Sequence, residues 1–218
     1  MNAKTPSLKL YGFWRSSATW RIRWALELKK IPFVYVPINL LKNENLEPAF
    51  LKLNPSGRLP LLEIDGKIHM GQSVAILEWI EETFTSSNPA LLPQNPLDRA
   101  HVRTLAQIIN ADTAPLQIPL VQKAHTDDLE ERKKWAQLFI RRGLKDFSEA
   151  LQGRSGTYSF GDAVTLADLF LVPQIYNALR YEIDIEKEFP NLAKIYQNAL
   201  KTEACAKAAP DRQPDAPV

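Results

Sequence analysis

The stretch from Leu8 to Leu28 constrains the fold most, because it contains a strand signal followed closely by a strong helix signal. Leu8 and Leu10 indicate a short buried strand. Trp20, Trp24 and Leu28 then repeat at the four-residue spacing of one helix face. The sequence therefore predicts a chain that leaves a strand, turns, and begins a helix with a large apolar face.

The turn before this helix is rich in hydroxyl groups. Ser16, Ser17 and Thr19 are candidates for the helix N-cap, and Arg15 precedes them. The first N–H groups of a helix have no partner inside the helix and lie at the positive end of its dipole, so such a start can bind an anion. A thiolate is one such anion, although the same hydroxyl groups are also expected where they only cap the helix.

The composition excludes several classes of function. A net charge of +2 gives no basic surface of the kind that recruits nucleic acid or anionic lipid. We expect no membrane association, since no apolar run approaches the roughly 18–20 residues of a membrane span and the N-terminus lacks a signal-peptide core. His69, His101 and His125 lack ligand-like spacing, so we expect no metal site. The single cysteine, Cys205, excludes an internal disulfide, suits a reducing cytoplasm and is expected to be inert.

The first 86 residues follow the order β-α-β-α-β-β-α. Phe33–Val36 is expected to be the second strand and Arg58–Ile64 the third, and Asp65-Gly66 is a hairpin signal into a fourth strand. A parallel strand pair needs a crossover helix, whereas the final hairpin supplies antiparallel strands. This order predicts an α/β domain of thioredoxin-like fold over residues 1–86.

Beyond this domain the chain changes character. Residues 87–96 are rich in proline and small polar residues and are expected to form a linker. Residues 97–218 are expected to form an all-α domain, in which Thr165 and Asp168 cap the start of a buried helix reciprocally. We expect the end of the chain, from Ala209, to be extended on the surface or disordered.

Several motifs together resemble the zeta class of glutathione transferases, a family that includes maleylacetoacetate isomerase and maleylpyruvate isomerase. The most specific is Arg-Ser-Ser-x-x-Trp-Arg-Ile-Arg-x-Ala-Leu, which begins at Arg15. Further along are Leu-Asn-Pro-x-x-x-x-Pro from Leu53 and Gln-Ser-x-Ala-Ile-x-Glu from Gln72. The last, Gly-Asp-x-x-Thr-x-Ala-Asp-x-x-Leu-Val-Pro-Gln, begins at Gly161, so the similarity extends over nearly the whole chain.

The resemblance implies the glutathione transferase fold, glutathione as cofactor, a homodimer and a cytoplasmic location. It also implies a catalytic group at the first helix. Ser16, the first serine of the pair, would donate its hydroxyl to the glutathione thiolate, with Ser17 and Arg15 in supporting roles.

The family's cofactor site transfers to two further places in this sequence. The resemblance implies that Pro60 follows a cis peptide bond and that the backbone of Leu59 pairs with glutathione, with Arg58 beside them. It also implies that Gln72 and Ser73 hold the γ-glutamyl carboxylate, at a point where a second helix begins.

The implied reaction is the glutathione-dependent cis–trans isomerisation of a maleyl diacid in aromatic amino acid catabolism, with some transferase activity. Arg15 and Arg180 are candidates for the carboxylates of a small acidic substrate, since a guanidinium can hold a carboxylate at two points. Ala114 and Ile118 correspond to the family's acceptor-substrate wall.

Two departures from the family pattern leave alternatives open. Ala18 stands where the family usually has cysteine, and Ala114 and Ile118 replace a glutamine and an asparagine. The more apolar wall favours a general glutathione transferase or dehalogenase that acts on apolar electrophiles. A non-catalytic binding protein of the same fold is a third reading, but it predicts loss of the serine hydroxyl, and Ser16 is present.

Overall fold

The computed structural model describes residues 6–85 and 89–217, which divide into two compact units. The first unit combines the chain up to Pro89 with the segment from Glu203 onwards, and the second extends from Ala90 to Thr202. The start of the expected linker, residues 87–88, lies outside the described residues. The boundaries expected at residues 86 and 97 stay predictions.

The first unit is built on a four-stranded mixed sheet with the strand order β2-β1-β3-β4. The strands are β1 (Leu8–Gly12), β2 (Val34–Pro37), β3 (Leu61–Ile64) and β4 (Ile68–Gly71). The helices between and after them are α1 (Ser17–Leu28), α2 (Pro48–Leu53) and α3 (Ser73–Thr83). β1 pairs in parallel with β2 and antiparallel with β3, and β3 pairs antiparallel with β4, which confirms the predicted thioredoxin-like order.

The first unit packs through the buried faces of β1 and α1, as the sequence pattern predicts. Leu8 and Leu10 of β1 are buried, whereas the intervening Lys9 is exposed. Trp20 and Trp24 of α1 are both at most 1% exposed, as their four-residue spacing predicts. Burial of such aromatic side chains contributes strongly to stability because each removes a large apolar area from water.

The second unit is all-helical, as predicted. Its helices are α4 (Pro96–Gln107), α5 (Pro119–His125), α6 (Leu129–Ala150), α7 (Leu166–Arg180), α8 (Ile185–Glu188) and α9 (Pro190–Leu200). α7 is buried along most of its length, which confirms its prediction as the central helix.

A π-helix (Ile108–Thr113) and a 3-10 helix (Ala114–Gln117) connect α4 to α5. The π-helix packs tightly on α6 at Gly143. A Cβ atom added at Gly143 would lie 1.8 Å from the Thr113 hydroxyl oxygen, so this close approach requires glycine. The contact fixes the position of Ala114, the next residue in the chain.

The start of α7 is held by the predicted reciprocal cap between Thr165 and Asp168. The fully buried Asp168 carboxylate accepts from the N–H groups of Thr165 and Ser159, each at 2.8 Å. Burial raises the pKa of Asp168, while these donated hydrogen bonds act in the opposite direction. The cap thereby satisfies two backbone donors that would otherwise be buried without partners.

The end of the chain does not follow its prediction. The segment from Glu203, assigned from sequence to the second domain, packs with the first unit as α10 (Glu203–Ala208) and a 3-10 helix (Pro210–Arg212). Cys205 and Pro210 are buried there. The expectation of an extended or disordered tail from Ala209 is therefore wrong, because apolar burial and hydrogen bonds to the first unit order this segment.

Candidate functional site

The candidate site lies at one edge of the sheet, where three chain segments meet. In the strand register Tyr11 is opposite Leu61, and Leu61 is opposite Gly71. The turn that follows β1, the residues that precede β3 and the residues that follow β4 are therefore neighbours. These three segments carry all the site residues predicted in the first unit, which sequence order alone spreads from Arg15 to Ser73.

Ser16 caps α1 at this edge. Its backbone is extended (φ −67°, ψ 117°), and its hydroxyl oxygen accepts from the N–H of Thr19 at 3.2 Å. The Ser16 N–H donates to the Phe13 carbonyl at 3.0 Å, which closes the turn. Because the hydroxyl oxygen acts as an acceptor in the cap, its proton remains available for donation to an anion at the helix start.

The neighbours of Ser16 are also ordered by contacts within the turn. Ser17 is the first residue of α1, so its N–H belongs to the first turn of the helix. The Arg15 guanidinium lies over the Trp14 ring, with its central carbon 5.5 Å from the ring centroid. This contact holds a positive charge beside the capped helix start.

The second segment is the start of β3. The Leu59–Pro60 peptide bond is cis, as the family resemblance implied. Pro60 is buried, Leu59 is partly exposed and Arg58 is exposed. The side chain of Asn54 donates to the Arg58 carbonyl at 2.7 Å, which ties this segment to the preceding turn.

The third segment is the start of α3. Gln72 is exposed and has a left-handed backbone with φ of 65°, a conformation that costs free energy in a residue other than glycine. Ser73 follows as the first helical residue and is only 6% exposed. Backbone strain of this kind is often retained at binding sites, so the observation agrees with a ligand-holding role for this corner.

Arg21 is a functional candidate that sequence reasoning missed. It is 2% exposed, and its Nη1 donates to the Ser73 hydroxyl oxygen at 3.0 Å. Burial lowers the pKa of Arg21 to about 9, so the guanidinium is still charged near neutral pH. Since a guanidinium only donates, the Ser73 oxygen must accept from it, which leaves the Ser73 hydroxyl proton for another acceptor. Only its place in the Trp-Arg-Ile-Arg motif distinguished Arg21 in the sequence.

The remaining predicted residues lie in the second unit. Ala114 begins the 3-10 helix and Ile118 follows it, and both are partly exposed. Arg180 is the last residue of α7 and is exposed, with its Nη1 donating to the Asn177 side-chain oxygen at 3.3 Å. The roles assigned to these three residues, like those in the first unit, stay predictions.

A buried pair of amides, also missed from sequence, holds the segment that carries Ala114 and Ile118. Gln117 and Gln174 exchange two side-chain hydrogen bonds, at 2.5 Å and 3.1 Å. The Gln117 carbonyl also accepts from the buried Gln122 side chain at 2.7 Å. These bonds attach the expected acceptor wall firmly to α7.

The described residues contain neither a cysteine that is a thiolate near neutral pH nor a cluster of metal-ligating side chains. Cys205 is buried, and burial raises the pKa of its thiol to about 12, so it is protonated near neutral pH. Within residues 6–85 and 89–217, no group of three or more His, Cys, Asp or Glu side chains is arranged to hold a metal ion. No helix in this part of the chain combines the length and apolar character required to cross a membrane.

Comparison with known families agrees with this geometry. The family model for the glutathione S-transferase N-terminal domain matches residues 6–82, and the model for the glutathione S-transferase C-terminal domain matches residues 114–207. The chain belongs to the glutathione S-transferase family. The family resemblance stated from the sequence motifs is thus confirmed.

Similar proteins within the family include named isomerases of maleyl diacids. The maleylacetoacetate isomerase of Rattus norvegicus is 42% identical over 211 residues, which cover 96% of this chain and 95% of the relative. A solved maleyl pyruvate isomerase, described as a bacterial zeta-class enzyme, has a TM-score of 0.90 and 37% identity, with coverage of 96% of this chain and 100% of that one.

Solved structures of one bacterial relative contain ligands. The maleylacetoacetate isomerase of Anaeromyxobacter dehalogenans 2CP-1 with GSH bound in its active site has a TM-score of 0.89 and 41% identity, covering 99% of this chain and 100% of that one. A second structure of it, with bound dicarboxyethyl glutathione and citrate, has a TM-score of 0.89 and 39% identity, covering 100% and 97%.

The capping geometry predicts different stabilities for the two serine variants. Ser16→Ala removes the acceptor of the Thr19 N–H and should lower the free energy of unfolding by about 0.5–2 kcal/mol. Ser17→Ala, at the first helical position, should change it by less than about 0.5 kcal/mol. Urea denaturation followed by circular dichroism measures both, and equal losses would contradict the assignment of Ser16 as the cap.

Proposed function

We propose that this protein is a glutathione-dependent cis–trans isomerase of a maleyl diacid, of the maleylacetoacetate or maleylpyruvate type. The observation that carries the proposal is the capped start of α1, where Ser16 retains a hydroxyl proton for donation at the sheet edge shared with Leu59 and Ser73. The names of the similar proteins, which include isomerases of both maleyl diacids, support the same reaction.

The residues at the sheet edge are assigned to the γ-glutamyl end and the middle of a glutathione molecule. The first turn of α3, the hydroxyl proton that Ser73 retains and the buried charge of Arg21 together favour a carboxylate, as the γ-glutamyl end requires. The exposed Gln72 lies beside them, and the backbone of Leu59, with Pro60 and Arg58, is assigned to the peptide's middle. When bound, glutathione supplies a thiolate that adds to the cis double bond and is released after rotation.

Ser16 is assigned to stabilise the thiolate. A free thiol has a pKa of about 8.5, and lowering it by about two units requires roughly 2.7 kcal/mol of preferential stabilisation. A hydrogen bond to a charged group contributes about 1.5–3 kcal/mol, so the Ser16 hydroxyl can supply most of this difference. The helix start and Ser17 provide the remainder in this proposal.

Two arginines are assigned to the substrate's carboxylates. Arg15 directly precedes Ser16 in the chain, and its guanidinium lies over the Trp14 ring. Arg180, at the exposed end of α7, is the second candidate. Each is a candidate because a guanidinium can bind a carboxylate through two parallel hydrogen bonds.

A second candidate function follows from the acceptor wall. Ala114 and Ile118 make the segment held by the Gln117–Gln174 pair more apolar than the family pattern, which favours conjugation of glutathione to apolar electrophiles or dehalogenation. We keep this general transferase activity as the alternative, because the same thiolate would serve both reactions. A cytoplasmic location is part of the proposal and agrees with a single, buried cysteine.

We expect glutathione-dependent turnover of maleylacetoacetate, maleylpyruvate or both. The turnover is measured as the loss of the cis-diacid absorbance. Ser16→Ala should lower kcat near neutral pH by about 10²-fold, the equivalent of roughly 2.7 kcal/mol. It should also raise the pKa of bound glutathione, measured as thiolate absorbance against pH.

Ser17→Ala serves as the matched control and should cost less. Conjugation of a chloronitrobenzene electrophile without turnover of either diacid would favour the alternative function. Full activity in folded Ser16→Ala would contradict this role for Ser16. It would indicate that Ser17 or the helix N–H groups stabilise the thiolate instead.

Ser73→Ala should weaken glutathione binding about tenfold in calorimetry, because one hydrogen bond to a charged carboxylate is lost. Ser7→Ala is the control, because Ser7 is exposed and lies far along the sheet from the site. It comes directly before Leu8, which pairs with Ile64 at the opposite end of the strands. Equal affinities for Ser73→Ala and wild type would remove Ser73 from the site.

The proposal includes a homodimer, which rests on the family resemblance. We expect light scattering at micromolar concentration to give a mass near twice the 24.7 kDa of the chain. A mass near 24.7 kDa would contradict the dimer.

A further inference from the structure

The turn that carries the candidate catalytic serine is held by side chains from distant parts of the chain. The N–H of Trp14, two residues before Ser16, donates to Asp215 Oδ2 at 2.9 Å. The Trp14 carbonyl accepts from Arg23 Nη2 at 2.9 Å. Both backbone polar groups of Trp14 are therefore held by side chains from outside the turn.

Asp215 and Arg23 belong to one connected cluster with Tyr35. The Tyr35 hydroxyl donates to the same Asp215 oxygen at 3.3 Å, and the Arg23 guanidinium lies over the Tyr35 ring at 5.5 Å. Arg23 is 1% exposed, and its Nε donates to the Ala208 carbonyl at 3.0 Å. The cluster thus joins α1, β2, the β1–α1 turn and the C-terminal segment.

The charges in this cluster compensate each other. Burial lowers the pKa of Arg23 to about 10, and the nearby Asp215 charge acts in the opposite direction, so Arg23 is a cation near neutral pH. Burial raises the pKa of Tyr35, which keeps its hydroxyl protonated and able to donate. The Asp215 side chain therefore lies near enough for its charge to act on the buried Arg23 guanidinium.

The position of Asp215 is set by a folded segment. Ala208 and Pro210 are buried, and α10 packs on α1. The Gln213 side chain donates to the carbonyls of Lys207 and Ala209, at 2.9 Å and 2.8 Å. These contacts bring the chain back so that the carboxylate of Asp215 reaches the turn.

We propose that Asp215 is a positioning residue for the reaction: by holding the Trp14 peptide, it sets where the Ser16 hydroxyl and the Arg15 guanidinium lie. The inference rests on the proposed function. A shift of Trp14 would move both groups. Ser16 follows Trp14 by two residues, and the Arg15 guanidinium lies on the Trp14 ring. A displacement of about 1 Å in a catalytic group can cost up to 10²-fold in rate.

The kinetic test compares three variants of the full-length protein. Asp215→Ala should lower kcat about tenfold while KM for glutathione stays within about twofold, because the γ-glutamyl end and the middle of the peptide are assigned to other segments. Asp215→Asn should stay within about threefold of wild type, since its amide oxygen can accept the same hydrogen bond. Asp211→Ala, on the exposed side of the same segment, is the matched control and should leave kcat unchanged.

Two further readouts separate positioning from general stability. The pKa of bound glutathione should rise in Asp215→Ala, and the Trp14 amide should lose protection from hydrogen exchange, whereas Asp211→Ala should change neither. Asp215→Ser, whose side chain is too short to reach the Trp14 N–H, is measured beside Asp215→Ala so that a folded variant without the bond is available.

Unchanged kcat and thiol pKa in a folded variant that has lost Trp14 protection would overturn the positioning role. Retained Trp14 protection would overturn the structural link itself. If the wild type turns over neither maleyl diacid, the proposed function fails, while the thiol pKa and amide exchange still decide whether Asp215 positions the turn.

Discussion

The burial of two guanidinium groups on α1 is the constraint on which the first unit depends. A desolvated cation is costly unless neighbouring groups are fixed to receive its hydrogen bonds. Arg21 therefore requires the Ser73 hydroxyl, and Arg23 requires the Trp14 and Ala208 carbonyls. Residues two apart on a helix point to nearly opposite sides, so one helix fixes the start of α3 on one side and the β1–α1 turn on the other.

The backbone and the side chains therefore position the site residues in different ways. The register of β1, β3 and β4 brings three loops to one sheet edge, which fixes their approximate positions. The arginines of α1 then hold one atom in two of these loops. Arg21 holds the Ser73 hydroxyl oxygen, and Arg23 holds the Trp14 carbonyl oxygen. The Ser73 hydroxyl oxygen accepts from the Arg21 guanidinium and the Ser16 hydroxyl oxygen accepts from the Thr19 N–H, so each hydroxyl keeps its own proton for donation.

Local signals were sufficient to predict the strands, a hydroxyl cap within residues 16–19 and the hairpin at Asp65-Gly66, because each depends on neighbouring residues, and the structure selects Ser16 among the cap candidates. The contacts of the buried arginines could not be predicted in this way. The Arg21–Ser73 bond joins residues 52 positions apart and the Trp14–Asp215 bond residues 201 positions apart, and a charged residue in a helix is ordinarily expected at the surface. The π-helix after α4 was missed for a related reason, since it depends on the tight fit between Thr113 and Gly143.

The burial of Cys205 has a chemical consequence for a protein that handles electrophiles. It is the only cysteine, and position 18, where the family usually has another, is alanine. With the Cys205 thiol enclosed and its pKa raised to about 12, the chain offers a reactive electrophile no thiolate of its own. Alkylation of a cysteine by the substrates, a route by which thiol-bearing catalysts lose activity with use, is therefore disfavoured in this chain.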